Sequence, residues 1–200
     1  MLILLRHGQT TSNVDRKLDT LVPGASLTEL GEEQAREAGA NILAEYAVDR
    51  VISSQATRAQ QTAALAFGEQ FPDIPAVDGL QEIHAGRWEM HNSREAHEAY
   101  FRAFRGFYRR DLEAMVEDGD SLDLFLTRYT GALLPYVEQG GTTVAVSHGG
   151  AIRAFTANAC AVNPEYAEQS YLPNCQYIVI DPIGEFGQWQ VRRWADYELP

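Results

Sequence analysis

Two stretches of sequence decide the fold, because both read as buried strands and both end in the same way. Residues 2–8 read LILLRHG, and residues 144–150 read VAVSHGG. A continuous apolar run is typical of a strand that is covered on both faces. Each run leads to a histidine followed by glycine, His7 in the first and His148 in the second. Since the carboxyl ends of strands form the ligand crevice of open α/β sheets, we expect both histidines to line one crevice.

The rest of the chain alternates between strand and helix patterns. Further strands are predicted at residues 50–53, around Val77, at 177–181 and at 188–194. A capping box at 26–29 predicts a helix that extends to residue 46. Further helices are predicted at 57–67, 93–115, 121–135 and 149–161, the second of these with an interruption at Gly106. Residues 9–24 are expected to form a loop. This alternation predicts an α/β fold, a three-layer sandwich in which a mostly parallel central sheet carries helices on both faces.

Length and charge limit the class of protein. A chain of 200 residues predicts one domain over residues 1–200. The net charge of −12 argues against nucleic acid, because phosphate backbones are bound by basic surfaces, and equally against an anionic membrane surface. Taken alone, it also argues against a small anionic substrate.

The amino terminus and the cysteines bear on the cellular compartment. The apolar run at residues 1–5 is shorter than the roughly 7–15 residues of a signal peptide core. The two cysteines, Cys160 and Cys175, have neither CxxC spacing nor a histidine cluster nearby, so they are expected to be free thiols. We therefore expect a cytoplasmic protein.

Arg58 adds a third polar group at a strand end. It falls in the first turn of the helix predicted at residues 57–67, where the helix dipole disfavours a cation unless an anion lies nearby. Taken singly, Arg58 reads as a solvated arginine and each histidine as a loop-edge residue. Together, three strand ends contribute Arg6, His7, Arg58 and His148, which we interpret as an anion pocket.

Four motifs in this order resemble the histidine phosphatase superfamily, and within it the phosphoglycerate-mutase-like branch. They are RHGQT at 6–10 with Asn13, Ser53-Ser54 with RAQQTA at 58–63, LQEI at 80–83 with Gly86, Trp88 and Glu89, and SHGG at 147–150. The sequence GDS at 119–121 with Arg128 resembles a later helix start of that branch. The resemblance runs from residue 2 to about residue 153 and implies the phosphoglycerate-mutase-like version of the predicted fold.

The resemblance also implies a mechanism. His7 would attack the phosphorus of a monoester and form a phosphohistidine, because neutral histidine is a competent nucleophile. Arg6, Arg58 and His148 would hold the equatorial oxygens, where the rigid fork of arginine matches phosphate. No cofactor and no metal are expected, since the arginines supply the positive charge.

The remaining roles concern hydrogen bonding and proton transfer. Asn13 and the Gly149 amide would contribute hydrogen bonds to the phosphoryl group. Glu82 would protonate the leaving alkoxide and then take a proton from water. Glu89 lies only seven positions further on, and the residues by themselves leave it open as an alternative to Glu82.

The expected function is that of a phosphomonoesterase acting on a small phosphorylated metabolite. Two departures concern the substrate: residues 18–24 differ from the loop that the family often carries, and Met90 stands where glycine commonly follows the Trp-Glu pair. The longer, inserted acid/base segment of cofactor-dependent mutases is not seen. Mutase-type phosphoryl transfer is therefore less favoured than hydrolysis, and it is kept as the first alternative. A binding module for a phosphorylated partner is the second, although such a module would not need Glu82. Dimers are common in the family, so a homodimer is the assembly that the resemblance suggests.

Residues 100–110 combine aromatic and basic side chains. On a helix Arg102, Arg105 and Arg109 would share one face, beside a face of aromatic rings. One interpretation is an amphipathic helix with packed rings and solvated arginines. The other is a cap at residues 88–120 over the pocket, whose arginines would engage a distal phosphate or carboxylate.

Overall fold

Strand β1 (Leu2–Arg6) lies near the middle of one seven-stranded sheet in the computed structural model, which describes residues 1–198. The other strands are β2 (Arg50–Ser54), β3 (Ala76–Val77), β4 (Thr143–Ser147), β5 (Tyr177–Asp181), β6 (Gln190–Trp194) and β7 (Tyr197–Glu198). Their order in the sheet is β3-β2-β4-β1-β5-β6-β7. The last two residues of the domain expected over residues 1–200 lie outside the described residues.

The sheet is mixed, and its parallel half carries the strand ends of interest. Strands β3, β2, β4 and β1 run parallel to one another, whereas β5 pairs antiparallel with β1, and β6 and β7 continue the antiparallel pairing. In the register of β1 with β4, Arg6 lies opposite Ser147, so the residues that follow these two strands leave the sheet side by side. The α/β architecture expected from the sequence is confirmed, with the antiparallel half added by the carboxyl-terminal strands.

Helices cover both faces of the sheet. They are α1 (Thr11–Val14), α2 (Glu29–Glu45), α3 (Thr57–Phe67), α4 (Arg94–Tyr108), α5 (Leu122–Glu138), α6 (Gly149–Ala159) and α7 (Pro164–Gln169), with a 3₁₀ turn at Gly86–Trp88. Within the described residues, no helix is long and apolar enough to cross a membrane.

The core forms two layers because side chains alternate between the faces of a strand. Leu2 and Leu4 pack with apolar residues of α4, α5 and α6, while Ile3 and Leu5 pack with α2 and α3. All four side chains are essentially inaccessible to solvent, and each contributes about 1.5–3 kcal/mol by its burial. The continuous apolar run that predicted a doubly covered strand is therefore confirmed.

The structure corrects three local predictions. Helix α2 begins after Thr28, whose hydroxyl accepts a hydrogen bond from the Gly31 amide, and no capping box forms at residues 26–29. The loop predicted at 9–24 contains α1, because Thr10 and Asn13 bond reciprocally as a capping box. Helix α4 continues through Gly106 and ends at Tyr108, well before residue 115.

Gly106 explains why that stretch turns where it does. A Cβ atom placed on Gly106 would lie 2.3 Å from the Cβ of Ala114, so the segment after the helix folds back onto the glycine. The residue that was expected to interrupt the helix instead makes room for the chain that returns over it.

Helix α7 and strand β7 were not predicted.

A second close approach fixes the chain that leaves β1. A Cβ atom on Gly8 would lie 2.4 Å from the carbonyl oxygen of Gly31, and one on Gly31 would lie 2.1 Å from that of Gln9. The two glycines thus let α2 lie directly against the loop that follows His7. The position of His7 is set by backbone packing on one side and by the sheet on the other.

The two cysteines are free and buried, as expected from their spacing. Burial raises the pKa of both the Cys160 and the Cys175 thiols to about 12, so neither is a thiolate near neutral pH.

Candidate active site

The carboxyl ends of β1, β2 and β4 surround one cavity of about 170 Å³. Its walls include every residue of the predicted phosphoryl-transfer site: Arg6, His7, Asn13, Arg58, Glu82, His148 and Gly149. These residues come from separate segments between residues 6 and 149, and the sheet register brings the strand ends among them together.

His7 lies at the floor of the cavity and is 4% exposed. Its Nδ1 is 2.7 Å from the carbonyl oxygen of Gly8, and since a carbonyl can only accept, Nδ1 carries the proton. Nε2 therefore keeps its lone pair. Burial lowers the pKa of His7 well below 6.5, and the charges of Arg58 and Arg6 lower it further. The ring is held in the neutral form that a nucleophile requires.

His148 lies beside His7, with 5.2 Å between the ring centroids. Its Nδ1 accepts a hydrogen bond from Nε of Arg58 at 3.2 Å, and its Nε2 is 2.9 Å from the Ser54 hydroxyl. This arrangement requires the tautomer that is protonated at Nε2, opposite to that of His7. Burial, followed by the charge of Arg58, lowers the pKa of His148 well below 6.5.

The guanidinium of Arg6 forms hydrogen bonds through Nη1 but not through Nε. Nη1 donates to the Tyr171 hydroxyl and to the Leu172 carbonyl, each at 2.7 Å. Nε is buried and has no hydrogen-bond partner among the described residues. A Cβ atom on Gly149 would lie 3.0 Å from this Nε, so the glycine lets the start of α6 approach the arginine closely.

Arg58 occupies the first turn of α3, as the sequence predicted, and is 2% exposed. Nη2 donates to the Asp19 carbonyl at 3.0 Å, and Nη1 lies 3.7 Å from the Asp19 carboxylate without forming a hydrogen bond. Thr62 ties the same helix to the His7 loop, since its hydroxyl donates to the Arg58 carbonyl and accepts from the Gly8 amide.

These unpaired donors are costly for the folded chain. A buried donor without a partner costs about 1–3 kcal/mol, and more when it belongs to a charged group. Arg6 carries such a nitrogen, Nε, beside Gly149 at the cavity, whereas the unpaired Nη1 of Arg58 lies against Gly24 and the Asp19 carboxylate in the loop at 18–24. An anion with acceptor oxygens is the ligand that would satisfy the Arg6 nitrogen.

The carboxylate of Glu82 sits on the first turn of α6. It accepts hydrogen bonds from the amides of Gly150 at 2.9 Å and Ala151 at 2.6 Å, and from its neighbour Ile83 at 2.9 Å. A Cβ atom on Gly150 would lie 2.8 Å from the carboxylate, so only glycine admits Glu82 this close to the helix. The carboxylate and the two histidines therefore face one cavity from different sides.

Arg128 holds the turn that carries Glu82. Its Nη1 donates to the carbonyls of Gly79 and Gln81, and its Nη2 donates to the Glu82 carbonyl, all at 2.8 Å. The Asp120 carboxylate bonds both to Arg128, at 2.7 Å, and to the His84 amide, at 3.0 Å. The motif at 119–121 with Arg128 thus positions Glu82 from a distance of about forty residues in the chain.

Glu89 has a different environment. One carboxylate oxygen accepts from the amides of Thr20 at 2.7 Å and Leu21 at 3.1 Å, and the other accepts from the Thr20 hydroxyl. Glu89 thereby braces the loop at residues 18–24 and does not line the cavity around His7. Of the two carboxylates left open by the sequence, only Glu82 faces the histidines.

Asn13 lines the cavity with its amide oriented by its neighbours. Its oxygen accepts hydrogen bonds from the Thr10 amide at 3.1 Å and from the Asn174 side chain at 3.2 Å. The Asn13 side-chain nitrogen is the remaining donor. Asn174 also donates to the His7 carbonyl at 3.0 Å, so the loop at 171–175 supports both residues.

Helix α4 covers the cavity with rings. Tyr100, Phe101 and Phe104 line it, and Tyr100 donates its hydroxyl to the Ile83 carbonyl at 2.7 Å. The arginines Arg102, Arg105 and Arg109 are exposed and none of them lines the cavity. Segment 88–120 therefore contributes its aromatic face, and the suggestion that these three arginines engage the ligand is not supported by their placement.

Several residues at the cavity have no role in the sequence predictions. Tyr171 and Asp19 lie in loops whose approach to Arg6 and Arg58 depends on long-range folding, so no local pattern could reveal them. Arg153 and Lys17 also line the cavity. Arg153 could have been found, since it follows the glycines of the SHGG motif by one helical turn.

Among residues 1–198, no group of three or more histidine, cysteine, aspartate or glutamate side chains is arranged to hold a metal ion.

Comparison with known proteins agrees with this fold and shows the family. The family model described as histidine phosphatase superfamily (branch 1) matches residues 2–197. The 2,3-bisphosphoglycerate-dependent phosphoglycerate mutase 2 of Gloeobacter violaceus is 30% identical over 192 residues, which cover 90% of this chain and 85% of the mutase. The chain therefore belongs to branch 1 of the histidine phosphatase superfamily.

Two solved structures show the similarity in three dimensions. The mycobacterial glucosyl-3-phosphoglycerate phosphatase in complex with VO₃ superimposes with a TM-score of 0.77 at 26% identity, covering 97% of this chain and 98% of that one. A phosphoserine phosphatase mutant from Entamoeba histolytica, in complex with phosphoserine, gives 0.76 at 25% identity, covering 96% and 94%.

The electrostatics of the two histidines predict their protonation. In the ligand-free protein both His7 and His148 should remain neutral at pH 6.5, where an unperturbed histidine is half protonated. A ¹⁵N-resolved NMR titration should show the proton on Nδ1 of His7 and on Nε2 of His148. Because the unfolded chain binds these protons more readily, the free energy of unfolding should fall as the pH drops below 6.5. Half protonation of either ring at pH 6.5 would contradict this description of the site.

Proposed function

We propose that this protein is a phosphomonoesterase that hydrolyses a small phosphorylated metabolite through a phosphohistidine on His7, without a metal or other cofactor. The observation that carries the proposal is that three groups occur together in one cavity. They are a neutral His7 with a free lone pair on Nε2, an Arg6 Nε that has no hydrogen-bond partner among the described residues, and Glu82. A nucleophile, an oxyanion donor and a proton carrier are thereby present together.

In the first step the Nε2 lone pair of His7 forms a bond to phosphorus while the bond from phosphorus to the ester oxygen breaks. Glu82, carrying a proton, gives it to the departing oxygen. The proton of His7 stays on Nδ1 and is donated in a hydrogen bond to the Gly8 carbonyl, which stabilises the charge that the ring acquires. Arg6 and Arg58 balance the charge on the equatorial oxygens.

His148 takes part through Arg58. In the ligand-free protein its Nδ1 accepts a hydrogen bond from Arg58 and its Nε2 donates one to the Ser54 hydroxyl, so neither nitrogen is free to donate to a ligand. A phosphoryl dianion favours protonation of a neighbouring imidazole. We therefore expect Nδ1 of His148 to take up a proton from solvent as the substrate binds, and to donate a hydrogen bond to a phosphoryl oxygen in place of the one it accepts from Arg58.

In the second step a water oxygen attacks phosphorus and the bond from phosphorus to Nε2 breaks. The Glu82 carboxylate takes one proton from that water, which restores both Glu82 and neutral His7. The products are the alcohol and inorganic phosphate. The hydrogen bonds to Glu82 from the α6 amides keep the carboxylate in place for both proton transfers.

Mutase-type phosphoryl transfer is the second candidate, because curated relatives at 30% identity carry that name. The two phosphatase structures align over 97% and 96% of this chain, which supports hydrolysis as the first candidate. The cavity of about 170 Å³ is smaller than the roughly 300–1,000 Å³ of common ligand pockets, which favours a small substrate.

Product analysis distinguishes these candidates. With excess EDTA, the protein should release phosphate from 4-nitrophenyl phosphate, and with 3-phosphoglycerate it should yield glycerate and phosphate. The His7→Gln variant, in which the nucleophile is lost, is the control and should release neither. If 2-phosphoglycerate forms faster than phosphate when 2,3-bisphosphoglycerate is added, the protein is a mutase. If phosphate esters bind without any turnover, it is a binding module.

The position of Glu82 predicts a dependence on the leaving group. Glu82→Gln should slow hydrolysis of an alkyl phosphate by about 100-fold or more, because an alkoxide needs the proton, and should slow an aryl phosphate far less. Glu89→Gln is the matched control: it removes the same charge from the neighbouring carboxylate that braces residues 18–24. Any loss in Glu89→Gln should be equal for alkyl and aryl esters.

The opposite pattern would reassign the role. If Glu82→Gln keeps its rate with an alkyl phosphate while Glu89→Gln loses it selectively, Glu89 is the proton carrier.

A further inference from the structure

Arg153 reaches the same cavity from helix α6. It follows Gly149 and Gly150 by about one turn, so it lies on the helix face that these glycines present to the site. Helical side chains lean towards the amino terminus, which directs Arg153 back over that first turn. It lines the cavity together with Glu82 and Phe104.

The guanidinium of Arg153 is fixed but only partly bonded. Nη2 donates to the carbonyls of Ala167 at 2.7 Å and Glu168 at 2.9 Å, near the end of α7. The ring of Tyr108 lies 5.2 Å from its Cζ. Arg153 is 8% exposed, and its Nε is buried without a partner among the described residues.

A buried arginine is usually paired with a carboxylate, and this one is not. No ion pair of Arg153 with an acidic side chain is found in residues 1–198, whereas Arg58 lies against Asp19 and the exposed Arg105 against Glu168. Bracing the end of α7 accounts for Nη2 alone. The Tyr108 ring lies against the guanidinium, but within the part of the chain that the structure describes the buried Nε has no hydrogen-bond partner and the charge has no carboxylate partner.

The charges around the cavity are unequal in number. Three arginines line it, Arg6, Arg58 and Arg153, against two carboxylates, Asp19 and Glu82, while Lys17 also lines it but is paired with Asp15 at 2.9 Å. When Glu82 carries the proton for the leaving group and His148 is protonated by substrate binding, the positive charges exceed the negative ones by three. A phosphoryl dianion offsets two of them, and a single carboxylate on the substrate would balance the third.

We propose that Arg153 is a specificity-determining residue that binds a carboxylate on the leaving-group part of the substrate, so that the substrate is a small phosphorylated acid. The proposal rests on the proposed function, which places the phosphoryl group at His7 and Arg6. Glu82 must reach the ester oxygen, and the Gly150 position shows that Glu82 and Phe104 lie within the same narrow space. The leaving group that continues past Glu82 therefore meets the turn of α6 that carries Arg153.

The test compares two esters that differ only at the distal group. 3-Phosphoglycerate and glycerol 3-phosphate share a carbon skeleton, but the first ends in a carboxylate and the second in an alcohol. The wild-type protein should prefer 3-phosphoglycerate in kcat/KM by about 10- to 100-fold, the range of a charge-assisted hydrogen bond. The preference should arise from KM.

Two variants and one matched control assign this preference. Arg153→Gln keeps a donor for the α7 carbonyls and removes the charge, so the preference should fall to less than about threefold while the rate with glycerol 3-phosphate changes little. Arg153→Lys should restore part of it. Arg110→Gln is the control, because Arg110 also braces carbonyls, those of Ala157 and Cys160 at the end of α6, but does not line the cavity. Arg110→Gln should keep the wild-type preference.

Other results would overturn the assignment. An equal loss on both esters in Arg153→Gln would mean that Arg153 only supports the helices. A wild-type protein without any preference would overturn the proposal even if Arg153→Gln fails to fold.

Binding separates this proposal from the proposed function. Calorimetry on the His7→Gln background, with and without Arg153→Gln, measures the affinity for both esters without turnover. If the wild-type protein hydrolyses neither ester but the carboxylate preference in binding depends on Arg153, the proposed hydrolysis fails and the subsite stands. If hydrolysis occurs and binding shows no preference, the subsite fails alone.

Discussion

The constraint on which this structure depends is the burial of Arg6 and Arg58 beside two neutral histidines at one edge of the sheet. Positive charge that is removed from water is expensive unless it is paired. Here the pairing is incomplete, because buried nitrogens of both arginines lack a hydrogen-bond partner among residues 1–198. The fold must therefore supply enough stability elsewhere to keep the cluster intact, and the two apolar layers that enclose β1 do so. The same burial keeps the pKa of each histidine low, so the cost to stability and the nucleophilic form of His7 have one cause.

Each reactive side chain is held by a segment distant in sequence. The loop at 171–175 braces Arg6, Asn13 and the His7 backbone, the loop at 18–24 braces Arg58, and Arg128 fixes the turn of Glu82. Glycines at the start of α6 then allow Arg6 and Glu82 to approach the helix within contact distance. The geometry of the site is therefore a property of the whole fold, although its chemistry resides in a few motifs.

This division explains what could be predicted from the sequence. Strand ends, the helix start at Arg58 and the histidine–glycine pairs are local patterns, and they were sufficient to bring Arg6, His7, Arg58 and His148 to one cavity. The choice between Glu82 and Glu89 is not local, since only the folded chain shows that one faces His7 and the other braces Thr20. The two interpretations of the α4 arginines stayed open for a related reason: the amphipathic pattern gives two faces, and packing decides that the aromatic face turns inward and leaves the arginines exposed. The spacing of Arg153 from the SHGG motif is a local pattern that could have placed it at the cavity, whereas its burial and unpaired Nε are seen only in the folded chain. The homodimer and the absence of nucleic-acid and membrane partners stay predictions.

The net charge of −12 describes the exterior of the protein. Local contacts of an anionic substrate at the cavity outweigh the repulsion by that charge, because its field is screened over a Debye length of about 8 Å.

The measurement that tests the account most directly is the trapping of the covalent intermediate. The protein is mixed with a ³²P-labelled phosphomonoester and denatured in alkali, where a bond from phosphorus to imidazole nitrogen survives, and the labelled peptide is identified. The account predicts an acid-labile, alkali-stable phosphoryl group on Nε2 of His7, and none in His7→Gln. Label on another residue, or label retained in His7→Gln, would contradict it.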